Sequence, residues 1–267
     1  MYDIKEAALN LGFKVIGNPD DRKKGGDALV NMKEQNNLIK HLSLAYYGNQ
    51  LSVYFKAESI IAHSISYQLK INKKPVSLEQ IANTASVISD IFKNEFMPSL
   101  QILDIDKIKS IMQVTVKRGW YTINSEGSFS LSDNPLSMQI HELFRSLLQS
   151  YIDSYLIVGV AINALMETGI VIEKNKIVNE LHICIQEIFH SNGIKFMNSC
   201  LIEVLNTAFS RFSELGICKS QTYDSQNGGK TIYLKSDPKN KDNIERYLTI
   251  LSDLSSTDEK GTQTMEE

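Results

Sequence analysis

The stretch Asp104-Ile-Asp-Lys-Ile-Lys-Ser-Ile-Met-Gln-Val-Thr-Val-Lys-Arg-Gly-Trp-Tyr-Thr-Ile123, followed by a turn at Asn124–Gly127 and by Ser128-Phe-Ser-Leu131, decides the fold. Ile108, Ile111 and Met112 recur at helical spacing, Gly119 supplies a left-handed C-cap, and the residues after it alternate as a short β-hairpin does. The pattern returns downstream. Met197, Leu201, Val204, Ala208 and Phe212 mark a helix that ends at Gly216. Ile217–Tyr223 and Lys230–Leu234 then form a second hairpin across Asn227-Gly228-Gly229. The two capping glycines lie 97 positions apart, a self-similarity on the scale of a whole helical unit.

Upstream of each motif lie two more helices. Ser77 and Gln80 read as a capping box opening a helix whose buried face is Ile81, Ala85, Ile88 and Phe92. Before it, Leu38, Leu42, Tyr46, Leu51, Tyr54 and Phe55 run into Ile60, Ile61 and Ile65 as a helical stripe with a break at Gly48. In the second half, Leu143, Phe144, Leu147, Leu148, Tyr151 and Ile152 share a face that continues into the apolar run Ser154–Met166 and stops at Gly169. Ile177, Leu181, Ile185 and Ile188 mark a further helix ending at Gly193, and a final one is expected around Asn243–Leu254. The expectation is a mostly α protein with two small β-hairpins, built as tandem winged-helix-like helical units. Its divisions are a lead-in helix, strand and loop over 1–36, a first unit over 37–134, a second unit with terminal helix over 135–254, and a disordered polar tail over 255–267.

Composition bounds the function. The chain has 267 residues, 42% hydrophobic and 22% charged, an ordinary globular balance that excludes disordered and collagen-like classes. Its net charge of −3 offers no global basic field for nucleic acid or anionic lipid. Cys184, Cys200 and Cys218, odd in number and widely spaced, read as core thiols of a reducing compartment. The N-terminus lacks a secretory pattern, and Ser154–Met166, closed by Asp153 and Glu167, falls short of the ~20 apolar residues of a bilayer span.

Chemistry-bearing motifs are few. His182, Cys184 and His190 share one helix at separations of two and eight, not the three or four that put ligands on one face, so no metal site and no cofactor are expected. His63 on its apolar face reads as a core histidine satisfied by a backbone carbonyl, and His141 as a polar residue at a helix start. No nucleophile elbow, P-loop or dinucleotide fingerprint occurs. The clusters Arg22-Lys23-Lys24 and Lys70/Lys73/Lys74 read as solvated loop charge, with phosphate contact as the alternative. The third helix of the first unit carries Lys107, Lys109, Lys117 and Arg118, that of the second only Arg211 against Glu203 and Glu214, a charge balance that favours protein contact over DNA contact.

The segment from Ala45 to Ile65, with Tyr47 and Asn49 in a Tyr-x-Asn pattern before an apolar helix, resembles the C-terminal region of glycerol-3-phosphate and dihydroxyacetone-phosphate acyltransferases of the mitochondrial and bacterial membrane-bound type. The resemblance extends through Val76–Ile81, the Phe144–Tyr155 helix and the Phe196–Lys219 helix-Gly-hairpin. It implies a role in phospholipid and triacylglycerol biosynthesis. Catalysis in that family uses a His-x-x-x-x-Asp pair, yet none of His41, His63, His141, His182 or His190 has an Asp five positions on. The phosphate-binding motif fails too, with Asn124 and Phe129 around Glu126-Gly127 where it wants Phe and Arg.

The chain is therefore expected to be inactive alone and to hold no catalytic residue. It would pack on a catalytic domain through an interface that includes Tyr47, Asn49, Tyr54, Phe55 and Ile61, with apolar surface exposed on the Leu38–Ile65 helices. The expected partner is the acyltransferase catalytic domain, with membrane contact only indirect and no nucleic acid. The expected location is intracellular, at the mitochondrial outer membrane or another membrane when joined to that domain and cytoplasmic otherwise. A stand-alone winged-helix-like interaction module is the alternative, and nucleic-acid binding the least favoured.

Overall fold

A computed structural model describes residues 54–96, 103–169, 171–190, 201–224, 230–236 and 238–255. The expected lead-in over 1–36, the stripe up to Leu51, Tyr47, Asn49, Cys200 and the tail beyond Ser255 lie outside the described residues. In chain order the elements are α1 (Lys56–Asn72), α2 (Leu78–Ile91), the single turn α3 (Lys93–Phe96), α4 (Ile105–Lys117), β1 (Tyr121–Ile123), β2 (Phe129–Leu131) and α5 (Pro135–Thr168). They continue with β3 (Ile172–Glu173), α6 (Lys174–His190), α7 (Ile202–Glu214), β4 (Cys218–Asp224), β5 (Lys230–Ser236), a short 3₁₀ turn and α8 (Lys241–Ser255). The fold is mostly helical, with both hairpins in place.

Local chemistry fixes the helix starts. Ser77 Oγ accepts from the Gln80 amide at 3.2 Å while Gln80 Oε1 accepts from the Ser77 amide at 2.9 Å, closing the capping box of α2. Asp104 caps α4 by accepting from the Lys107 amide at 2.8 Å, and Asn134 caps α5 ahead of Pro135 at its first position.

The repeat is visible bond by bond. After α4 the Trp120 amide donates to the Thr115 carbonyl, and after α7 the Ile217 amide donates to the Phe212 carbonyl, each at 3.0 Å. Gly119 and Gly216 turn the chain at φ of 75° and 73°. The first helices end alike as well: Lys73 (φ 51°) and Gly169 (φ 65°) each donate back four residues, to Leu69 and Leu165. Val76, between α1 and α2, bridges antiparallel to Phe129 of β2, and β3, between α5 and α6, pairs with β5. Both halves thus run helix, short strand, helix, helix, hairpin, with the short strand beside the second hairpin strand. The second sheet, in order β3-β5-β4, carries a third strand that the sequence reading did not anticipate.

Buried faces of every long helix merge into one core that includes Ile60, Ile88, Ile108, Tyr155, Leu181 and Phe209. Alpha5 runs through it. At 34 residues it is about 51 Å long and is apolar enough to cross a membrane by length and composition, but 72% of its most apolar window is buried inside the protein. It therefore serves as a core helix. Gly159 lets α8 approach it closely, since a Cβ there would meet Leu248 Cδ2 at 2.9 Å.

Two expectations need correction. Leu143, assigned to the buried face of α5, is 54% exposed, because that face is set by Phe144 and Leu148. The stripe through Ile60, Ile61 and Ile65 does not offer apolar surface; all three are at most 1% exposed, covered by α2, α4 and α5 packed against α1.

Candidate functional site

One edge of α5 carries polar residues at every fourth position, Ser137, His141, Arg145, Gln149 and Asp153, and all five are buried. Four residues turn a helix by roughly 40° more than one revolution, so such a ridge winds around the axis and meets different neighbours along its length. Ser137 Oγ donates to the Gly119 carbonyl at 2.8 Å. His141 sits between Ser66 of α1 (Nε2 to Oγ, 2.7 Å) and Tyr121 of β1 (Nδ1 to the phenol oxygen, 2.8 Å). The Arg145 carbonyl accepts from His63 Nε2 at 2.9 Å, and its guanidinium reaches Glu142 at 2.9 Å. At the far end Asp153 Oδ1 accepts from Gln149 Nε2 at 2.8 Å and from Ser255 Oγ at 2.9 Å. The ridge thus joins α5 first to the first hairpin, then to α1, then to α8.

Burial, with the Arg145 charge nearby, holds both imidazoles at a pKa of about 3, so both are neutral at physiological pH. Ser66, His141 and Tyr121 have the outline of a nucleophile, its base and an orienting group. The third member is a phenol whose pKa burial raises further, not a carboxylate, and an imidazole so depressed is a weak base. Packing is what this arrangement accomplishes. His63 is the carbonyl-bonded core histidine the sequence indicated, whereas His141 is buried at 3% exposure instead of lying polar at a helix start. A small cleft at the junction of α1, α5 and α8 opens beside His63, Ser66, Arg145 and the Lys70–Asp253 ion pair.

A second polar cluster joins the halves. Arg211 of α7 is buried and pairs with Asp90 of α2 at 2.8 Å and Glu214 at 3.0 Å, and Asn94 donates to Glu214 at 2.8 Å. Tyr155 donates to Glu95 at 3.1 Å, and burial pushes that carboxyl up to about 7. Among the described residues no group of three metal-ligating side chains converges. His182 is bonded to Gln186 on its own helix, and Cys218 is buried with its thiol pushed up to about 11.

Of the sequence-designated interface residues, Tyr54 is 79% exposed, and Phe55 lies partly open with its ring 5.8 Å from that of Phe144. Ile61 is inside the core, 1% exposed, so it is not a surface residue. The sequence reading missed Arg145, Gln149, Ser66 and Tyr121. The four-residue polar period inside an otherwise apolar helix was the available signal for the first two.

These features define a helical scaffold, duplicated in topology, whose buried polar groups bind its own elements together. The chain belongs to the family described as glycerol-3-phosphate acyltransferase C-terminal region, whose model matches residues 4–221. Membership links it to glycerolipid acylation. No curated protein matches the sequence.

Proposed function

We propose that this chain is the accessory C-terminal region of a glycerol-3-phosphate acyltransferase, packing on and supporting a catalytic domain in phospholipid and triacylglycerol synthesis. The observation that carries the reading is the family match over residues 4–221, in a sequence where no histidine has an Asp five positions on. The buried histidines His63 and His141 add support, because each is spent on a bond within the fold. Tyr54 and Phe55, exposed beside Phe144 at the start of α1, are the described residues best placed to meet that domain. Membrane association and location follow from the catalytic part.

The test measures acyl transfer from acyl-CoA to glycerol 3-phosphate by the purified chain, by a family catalytic domain lacking its own C-terminal region, and by the mixture. Activity in the mixture well above the catalytic domain alone, with none from the chain alone, is expected. Activity from the chain alone, or no gain in the mixture, overturns the reading. A second reading, a stand-alone interaction module of two winged-helix-like units, is favoured by the repeated helix-strand-helix-helix-hairpin order. It predicts a stable monomer that captures a protein partner unrelated to acyl transfer.

A further inference from the structure

Two buried nitrogens on facing helices lack a hydrogen-bond partner, and their side chains line the same cleft. His63 of α1 is 1% exposed and its Nδ1 is unpaired; Arg145 of α5 is 9% exposed and its Nε is unpaired. The character of each atom follows from its neighbours. His63 Nε2 faces the Arg145 carbonyl at 2.9 Å, and a carbonyl only accepts, so Nε2 carries the proton and Nδ1 of the neutral ring is an acceptor. Arg145 Nε–H is always a donor. Of the other side chains at the cleft, Ser66 Oγ is engaged with His141 and Lys70 with Asp253, while Tyr67 adds a phenol to the lining.

One kind of group satisfies both atoms together. It must give a hydrogen to His63 Nδ1 and accept one from Arg145 Nε. A carboxylate or dianionic phosphate oxygen has no hydrogen for Nδ1, and an ammonium has no lone pair for Nε–H. An oxygen bearing hydrogen has both. The free space in this cleft is about that of one water molecule, and the partly exposed Lys70–Asp253 ion pair lies on its lining. We propose that the α1–α5–α8 cleft is a binding site for a single hydroxyl group, supplied either by a water molecule or by the terminal hydroxyl of a small polyol. Its O–H donates to His63 Nδ1 and its oxygen accepts from Arg145 Nε. Because α8 closes the site through Asp253 and Leu254, an occupied site ties α8 to both other helices.

The experiment is a high-resolution crystal structure of the full chain, with and without glycerol, alongside nitrogen NMR of the His63 ring. Expected are an Nε2–H tautomer and one density peak within hydrogen-bonding distance of both nitrogens. Arg145→Met keeps the backbone carbonyl that His63 Nε2 donates to while deleting the Nε–H donor, and it should lose the peak with the rest of the fold retained. Glycerol distinguishes the sources. A saturable shift of Nδ1 with three-carbon density assigns a polyol, and an unchanged peak assigns water; either supports the site. An Nδ1–H tautomer, empty density between the two nitrogens, or a peak that persists unchanged in Arg145→Met overturns it. Should Arg145→Met fail to fold, the wild-type tautomer and density still decide.

Discussion

The third helices of the two halves, α4 and α7, are each 13 residues long and end in the same glycine-capped turn, yet they perform different work. Alpha4 presents Lys109, Lys117 and Arg118 to solvent, the last lying over the Trp120 ring at 4.9 Å. Alpha7 turns its one arginine inward, where Arg211 grips Asp90 of the first half. Backbone bonds and apolar spacing specify the helix and its cap; they leave the outward and lateral positions free. One copy keeps an open cationic face, and the other spends its cation on joining the halves.

The deepest break in this comparison lies at equivalent positions, Thr115 and Phe212, whose carbonyls close the two caps. Phe212 is 1% exposed and packs 6.1 Å from Tyr155, so Phe212→Ala should cost about 3–5 kcal/mol in urea unfolding. Thr115→Ala loses a hydroxyl bonded to the Met112 carbonyl and one buried methyl group, and should cost about 1–2 kcal/mol. Next comes charge. Arg211→Ala opens a gap where the buried guanidinium joined the half-exposed Asp90 and Glu214 and should cost about 1–2 kcal/mol, whereas Lys117→Ala on α4 should stay within about 0.5 kcal/mol. Equal losses in these pairs would erase the distinction between an open helix and a joining one.

A pH scan sharpens the contrast between the ridge in α5 and the cluster at Glu95. The histidines have native pKa values near 3, below the unfolded 6.5, so the unfolded chain takes up protons first and stability falls as pH drops from 6.5 toward 3. Glu95, raised to about 7 from 4.5, acts oppositely: the native state holds its proton, and stability rises as pH falls from 7 to 4.5. The two effects offset each other in part above pH 4.5. Below it the histidines act unopposed and the loss should steepen, by on the order of 1 kcal/mol per pH unit for each. His141→Gln should flatten that limb in unfolding followed by circular dichroism. The smallest difference between the halves is expected at the caps, where Gly119→Ala and Gly216→Ala should each cost about 1 kcal/mol, since both have positive φ and open space around them.

Helix positions were legible in the sequence wherever a cap and an apolar period agreed, as at Ser77 with Ile81 and Ile88, or Asp104 with Ile108 and Met112. The repeat was legible through Gly119 and Gly216 because a left-handed cap leaves a local signature. Beta3 was not, since Ile172 and Glu173 become a strand only by pairing with Leu234 and Tyr233 some sixty residues away. His63 was read correctly from its apolar face. The rest of the ridge was hidden because Ser66, Tyr121 and His141 come from three separate elements, and no local period reports a partner across the fold. Ile61 was misplaced for a related reason: periodicity marks an apolar face without saying whether the chain itself covers it.

Alpha5 is continuous from the first hairpin to the second half, and that continuity has a mechanical consequence. Where two tandem units are usually strung on a linker, here one rigid rod that opens the second unit also packs along the first helix and hairpin of the first unit. A force or a proteolytic cut applied near Ser150 should not release one intact half; it should take the whole body down in a single step, so that a chain built by repetition behaves toward stress as one indivisible piece.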